Sequence, residues 1–317
     1  MRKAIDLISI SSHSKEIFHK LRWGRTGVCC PHCGSINVVN TDPDQLHRCR
    51  DCDHRFSDTS GTIFHCTKLP LAKWLYAIYL FCSQSRGISS YNLARLIGVS
   101  QPTAYRVLML IRSVIVMEFD LGDTIHVDEI FLGADWGKKP FKKKLEKATA
   151  MGLTLPNRPH TSDPIADKYK FKKLLRGVMH KAASMDKTCV LGIRAYNKRS
   201  LLLLPTTLNE SRSLVKSQIN SQITQVTRLI TDETDNYNDL TPQHSKNCHS
   251  KGIYISEDGY SNNPLEGSFS HLRRMFRGIY QWCSKDKLYL YLNEFSFRWS
   301  YWSMSVEERM EMIFDWA

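Results

Sequence analysis

The chain has 317 residues, and its 44 Lys+Arg against 31 Asp+Glu give a formal charge of +13. A hydrophobic content of 42% with 24% charged residues suits a globular protein of two or three domains and excludes a disordered or fibrous chain. The longest apolar run, Trp74 to Cys82, falls well short of the roughly 20 residues of a membrane helix, so the expected partner is a polyanion, nucleic acid first, and not a membrane.

In chain order, Met1-Arg-Lys-Ala-Ile-Asp6 leads into polar sequence and not into the apolar core of a signal peptide, so a soluble, cytoplasmic protein is expected. Residues 1–28 hold one short helix around Lys15 to Trp23. Cys30-Pro-His-Cys33 and Cys49-Arg-Asp-Cys52 then form two C-x-x-C pairs separated by 15 residues. That is the spacing of a four-cysteine zinc site, closed and therefore structural. Cys29 adjoins the first pair as a competing ligand, and His32, His47 and His54 are second choices. Two disulfides would fit poorly with a cytosolic chain. Ile36 to Asn40 and Leu46 to Cys49 alternate like short strands, which bounds a zinc ribbon over 29–60.

Between 61 and 118 the pattern turns helical. Leu71, Trp74, Leu75, Ile78 and Cys82 share one helical face. A second helix ends at Gly98-Val-Ser100, where Ser100 caps a third helix with Gln101 and Pro102 in its first turn. Leu93, Leu96 and Ile97 are expected to face Ala104, Val107, Leu108 and Ile111. This is a helix-turn-helix pattern, which would offer Gln101, Thr103, Tyr105 and Arg106 to the major groove of DNA. Helical hairpins that bind nothing share it; a ribbon in front and a charge of +13 favour the DNA reading.

From 119 to 317 an α/β region is expected. Strands are read at Asp123 to Gly133, Leu174 to Met179, Cys189 to Arg194, Leu201 to Pro205 and Val226 to Thr231, with a helix over Ser213 to Gln222. The polar, lysine-rich stretch near 137–173 reads as a loop or insertion, either a solvated face or a phosphate contact. Asp128 lies mid-strand, where burying an unpaired charge is costly. Asp232 follows the end of a strand, and Glu266 lies in a helix start with Asn263 as cap and Pro264 first. Each also has a plain structural explanation: an arginine partner, a turn, a capping box. Glu266, Ser270, Arg273 and Arg277 recur on one helical face, an acid followed by basic groups suited to a scissile phosphate. Three carboxylates suit Mg²⁺ or Mn²⁺, and two such ions would assist both the attacking and the leaving oxygen.

Taken together, Cys30-Pro-His-Cys33 with Cys49-Arg-Asp-Cys52, Val127-Asp-Glu129, Thr231-Asp232, His244-x4-His249-Ser250, Asn263-Pro-Leu-Glu266 and Tyr291 to Arg298 resemble a known family. It is the bacterial insertion-sequence transposases with zinc ribbon, helix-turn-helix and DDE core (the ISXO-two-like group, related to the eukaryotic Merlin transposons). The resemblance implies an RNase H-like core in which Asp128, Asp232 and Glu266 bind two divalent ions. It also implies hydrolysis at transposon ends and attack by the freed 3′-hydroxyl on target DNA. Arg273 takes the family's basic place, often lysine, and contacts phosphate as a fork. His249 and Asn263 match motif positions as supporting residues, and Glu294 belongs to a structural motif. The implied partner is double-stranded DNA in a nucleoid-associated setting, held by a homodimer or higher oligomer that joins two ends. A DNA-binding regulator with a degenerate core and a structure-selective nuclease are the alternatives.

Overall fold

A computed structural model describes residues 12–24, 26–42, 46–133, 140–157, 159–160, 162, 164–206, 211–221, 227–232, 237, 243–247, 255–256, 258–261, 263–281 and 283–317. Helix α1 (Ser14–Trp23) precedes an antiparallel three-stranded sheet of β1 (Val38–Asp42), β2 (Leu46–Cys49) and β3 (Arg55–Ser57). The third strand is too short for a sequence pattern to reveal. It closes the ribbon by pairing His47 with Phe56.

Three helices follow: α2 (Leu71–Ser83), α3 (Ser90–Ile97) and α4 (Gln101–Ser113). Ser89 caps α3 by accepting from the Asn92 N–H, and Ser100 caps α4 by accepting from the Thr103 N–H. Between them Gly98 takes a left-handed conformation (φ 63°) that a side chain would disfavour, so the chain reverses within a few residues. Leu93 and Ile97 pack as expected against Ala104, Val107, Leu108 and Ile111. Leu96 does not: it is 60% exposed. Helical spacing puts it one step around from Leu93 and Ile97, outside the buried stripe.

The C-terminal helix α10 (Val306–Trp316), started by a Ser305/Glu308 capping box, returns to this helical unit. Met310, Ile313 and Phe314 join Phe18, Phe64, Phe81 and Phe297 in one core. The N-terminal helices therefore do not close their core without the end of the chain.

The second layer is a five-stranded sheet: β4 (Thr124–Leu132), β5 (Thr188–Ala195), β6 (Leu201–Thr206), β7 (Arg228–Thr231) and β8 (Gln243–Lys246). The spatial order is β6-β5-β4-β7-β8, with β4 central. The pairs β4–β5 and β5–β6 are antiparallel, whereas β7 runs parallel to β4 and β8 parallel to β7. On one face lie α8 (Asn263–Met275) and α9 (Leu288–Ser300), packed through Leu265, Phe269, Leu272 and Leu292 on Ile130 and Val190. On the other, Val215 of α7 (Ser211–Ser221) and Tyr237 cover Ile125, Val127 and Leu229.

Two expectations for 137–185 are corrected. The stretch read as a loop or insertion contains α5 (Phe141–Ala150), and the Leu174–Met179 segment read as a strand lies within α6 (Ile165–Met185). A short apolar run does not by itself distinguish strand from helix. Here Val178, Met179 and Ala182, spaced as on a helix, pack on Ala148 and Met151 of the α5 end. Among the described residues no helix is long and apolar enough to cross a membrane.

A buried charge network locks the helical unit to the sheet unit. Glu294 of α9 is fully buried; Arg112 Nε, from the end of α4, donates to its Oε2 at 2.7 Å. Arg298 Nη2 and the Tyr280 hydroxyl each donate to Oε1 at 2.6 Å. Arg298 also donates to the carbonyl of Gln84, after α2. Burial pushes the Glu294 carboxyl up, but the two guanidiniums and the Tyr280 hydroxyl outweigh it and hold the group below its ordinary value. Removing one member of such a network leaves uncompensated buried charge. Glu294→Ala should therefore cost about 3–5 kcal/mol in denaturant unfolding, whereas Leu96→Ala should stay within about 0.5 kcal/mol. A Glu294→Ala loss as small as that of Leu96→Ala would contradict a locking role for the network.

Candidate active site and zinc centre

Cys30, Cys33, Cys49 and Cys52 gather with their sulfurs all within 4.8 Å of one another. The Cys30–Cys52 and Cys33–Cys49 sulfurs are each 3.6 Å apart. A tetrahedral Zn–S length of about 2.3 Å would separate sulfurs by about 3.8 Å, so the cluster fits zinc. None of the four is in a disulfide. The Cys52 N–H on Cys49, opposed by burial and aided by the Asp51 N–H, lowers that thiol to about 7, whereas at Cys52 the His54 N–H is outweighed by burial and the three neighbouring thiols, which push it up to about 12. Cys29 stays outside the cluster, and the remaining second choices go elsewhere. His32 and His54 stack on each other at 5.3 Å. His47 is buried against Asp58.

Asp58, itself buried, gathers the ribbon onto α1. Its Oδ1 accepts from Trp23 Nε1 at 2.8 Å and lies 2.7 Å from His47 Nε2; its Oδ2 lies 2.9 Å from His19 Nδ1. Arg22 donates to its carbonyl. The sequence gives no hint of this contact, which joins a helix to a turn more than 30 residues away.

The three acids come from three elements. Asp128 is in β4 and Asp232 follows β7. The parallel register pairs Ile125 with Leu229 and His126 with Ile230. Continued by two residues, it sets Asp232 beside Asp128 on the same face of the sheet. That is the face covered by α8, whose first turn carries Glu266. The cross-strand partner of Asp128 is Gly192. A Cβ there would lie 2.6 Å from the Phe269 ring and 3.3 Å from Leu265, so α8 rests directly on that glycine. Glycine opposite Asp128 is what lets the helix bearing Glu266 come close.

Burial pushes the Asp128 carboxyl up to about 7. Its own hydrogen bond from the Glu129 N–H opposes this, while the carboxylates of Asp232, Glu129 and Glu266 add to it. Asp128 thus feels the charge of three other carboxylates, whose hard oxygens suit a divalent cation, although the oxygens of Asp128, Asp232 and Glu266 do not all lie within 4.8 Å of one another. Glu129, read only as part of a motif, adds its charge to Asp128 from the opposite face of β4, where it accepts from the buried Tyr237 hydroxyl. His244 lies 2.8 Å from Thr231 Oγ1, just behind Asp232. No sequence signal marks Tyr237, because its role depends on a fold contact more than 100 residues away.

The remaining expected site residues are spread over α8, the turn that follows it and α4. Asn263 is exposed and is the first residue of α8, one position further into the helix than a cap. Arg273 is exposed on α8, seven residues after Glu266. Arg277 falls in a π-helical turn, Phe276–Tyr280, so the α-helical face expected to run from 266 to 277 ends at Met275. His249 lies outside the described residues. On α4, Thr103 and Arg106 are exposed. Gln101 donates to Ser90 Oγ at 2.8 Å, and Tyr105 turns toward Lys287, whose Nζ is 3.4 Å from its hydroxyl. The Thr103 hydroxyl lies 2.8 Å from Ser100 Oγ. Of the four α4 residues expected to meet DNA, three are thus engaged within the protein and Arg106 alone is not, among the described residues.

Residues 164–300 match the ISXO2-like transposase domain, and residues 12–55 match a transposase zinc-ribbon domain. The chain is also 25% identical over 302 residues, covering 94% of each chain, to an uncharacterized protein in transposable element ISH50 of Halobacterium salinarum. No solved structure matches. Asp232 and Glu266 lie inside the matched transposase segment; Asp128 lies before it and joins them only through the sheet.

Chelating zinc should remove amide protection over 38–57 in hydrogen exchange and release α1, because Asp58 ties that helix to the ribbon. Protection that survives chelation would count against a structural zinc. At the acids, folding raises the Asp128 pKa from 3.8 to about 7. The folded state then binds more protons than the unfolded one between those values, so this group's contribution to stability falls as pH rises through the window. In thermal melts, Mn²⁺ should stabilise the protein more at pH 8 than at pH 5, and Asp128→Asn should remove the difference. An equal metal response at both pH values would contradict the shared carboxylate field.

Proposed function

From the match of residues 164–300 to the ISXO2-like transposase domain and of 12–55 to a transposase zinc ribbon, we propose that the chain is the transposase of an insertion sequence, cutting and joining DNA at an RNase H-like DDE centre. The observation that carries this reading is the placing of Asp128, Asp232 and Glu266, from β4, β7 and α8, on one sheet face, around a carboxyl raised by burial first and by its neighbours' charge second. The sheet order, three antiparallel strands followed by two parallel ones, supports the RNase H-like assignment.

In this reading Asp128, Asp232 and Glu266 would hold Mg²⁺ or Mn²⁺, with Glu129 adding charge behind them. Such ions, when bound, activate the attacking oxygen and stabilise the leaving one. The chain's own work is to fix the acids and bring DNA to them. Thr231 and His244 hold the backbone end that carries Asp232. Gly192 sets the distance between α8 and β4. Arg273, on the helix of Glu266, presents a guanidinium fork to the scissile phosphate or its neighbour. The α3–α4 pair, joined at Gly98, acts as a helix-turn-helix. Arg106 is its exposed donor to DNA, unengaged among the described residues, Thr103 sharing its hydroxyl with Ser100, and the ribbon supplies a second contact. Joining two transposon ends calls for at least two copies of the chain.

Asp128→Asn should abolish Mg²⁺-dependent cleavage of duplexes carrying the element's ends while leaving their binding at the wild-type level, as read by gel assays of product and of complex. A variant that still cuts would overturn the active-site assignment. Wild-type protein that binds ends but never nicks them with any divalent ion would point instead to a DNA-binding regulator.

A further inference from the structure

Away from the acids, the loop after α2, the β5–β6 turn, α8 and the end of α9 enclose a cavity of about 130 Å³. Its lining includes Arg86, Arg199, His271, Arg274, Trp299 and Trp302. The Arg199 guanidinium lies 4.1 Å over the Trp302 ring and 5.7 Å from that of Trp299. His271 meets Trp299 edge to face at 5.6 Å, and Arg274 donates to the Ser270 carbonyl at 3.3 Å. The guanidiniums are thus backed by aromatic faces and backbone, which limits the entropy cost of gripping a ligand.

No carboxylate lines this cavity among the described residues. The acid behind its Arg298 wall, Glu294, is already shared by two arginines and a tyrosine. Two bystanders report the excess positive field. Burial lowers the His271 pKa, and Arg274 and Arg86 lower it further; burial lowers that of Arg194, and Arg199 adds to it. The Trp299 indole N–H is also buried without an acceptor among the described residues. Uncompensated guanidiniums and an idle donor around one small space call for an anion with several oxygens.

We infer that this cavity is a subsite for one DNA backbone phosphate, held between Arg86 of the helical unit and Arg199 and Arg274 of the sheet unit. The inference rests on the transposase reading and deepens it. Arg273 and Arg274 are neighbours about 100° apart around α8. A strand gripped by Arg273 near the acids would therefore cross the helix to reach the cavity. Because the cavity lies on the seam between the units, a phosphate there would tie the α3–α4 pair to the catalytic face. The cavity grips phosphate, so it would add affinity without reading sequence.

The test uses the full zinc-loaded chain and fluorescence anisotropy of two labelled duplexes, one with the element's end and one unrelated, over a salt series. The double variant R199Q/R274Q should weaken both duplexes by the same factor and lower the slope of log K against log salt by about 1 for each phosphate no longer neutralised. R86Q, from the opposite wall, should act the same way, and its thermal melt should match wild type, which guards against a fold defect in the double variant. An unchanged slope in folded variants would overturn the inference, as would weakening confined to the end duplex. Inorganic phosphate, titrated against tryptophan emission, separates the sources. If it saturates the site while the variants bind DNA with unaltered slope, the cavity takes a small anion and the inference fails. Wild-type protein that neither binds nor cuts DNA would remove the transposase reading itself; wild type that does both, with variants of unchanged slope, would remove only this subsite.

Discussion

Glu294 takes the negative end of a buried network whose positive ends come from different parts of the fold: Arg112 closes α4, Arg298 lies one turn along α9, and Tyr280 ends the π-helical turn after α8. Arg112 is further sandwiched by Tyr291 and Tyr280, with its guanidinium 4.2 and 5.0 Å from their rings. Burying these charges is tolerable only when all the partners are present, so the network permits one arrangement of the helical unit against the sheet. The placement of α4 relative to the acids follows from it. So does the seam that holds the arginine-lined cavity.

Charge is used in two opposite ways. Around Glu294 and around Asp58, buried carboxylates are fully matched by donors, and the result is rigidity. Around Asp128 neighbouring carboxylates act on one another, and around Arg199 guanidiniums gather with no carboxylate among the described lining residues of their cavity. Mismatched charge of one sign costs stability in the isolated protein and regains it on meeting a ligand of the other sign. A divalent cation at the first site and a phosphate at the second are the simplest counterparts. The formal charge of +13 is thus a set of localised demands more than a general property of the surface.

The zinc ribbon shows how far local pattern reaches. Its ligands could be named from two C-x-x-C pairs because metal-ligand spacing is set by tight turns within a few residues. The caps at Ser100 and Ser89 and the reversal at Gly98 are local for the same reason. The misread segments fail on the other side of that boundary. Leu174 to Met179 is apolar enough for either a strand or a helix, and only packing on Ala148 decides. Leu96 sits between buried Leu93 and Ile97 in sequence yet points outward, because one residue is about 100° of helix. The face from Glu266 to Arg277 is interrupted by a π-helical turn that no residue announces.

By itself the sequence determined the chemistry available: four thiolates at zinc spacing, three acids in strand and helix contexts, and a basic excess matched to a polyanion. It also determined most elements, since period and caps are properties of neighbouring residues. Only the tertiary structure decided that Asp128 and Asp232 share a face, through parallel pairing of strands about 100 residues apart, and that the helix carrying Glu266 covers that face, seated on Gly192. It alone joined Glu129 to Tyr237 on the far face of β4, turned Tyr105 toward the protein, and assembled one cavity from arginines of two units. Those outcomes depend on which distant surfaces meet, and the meeting of distant surfaces leaves no period in the chain.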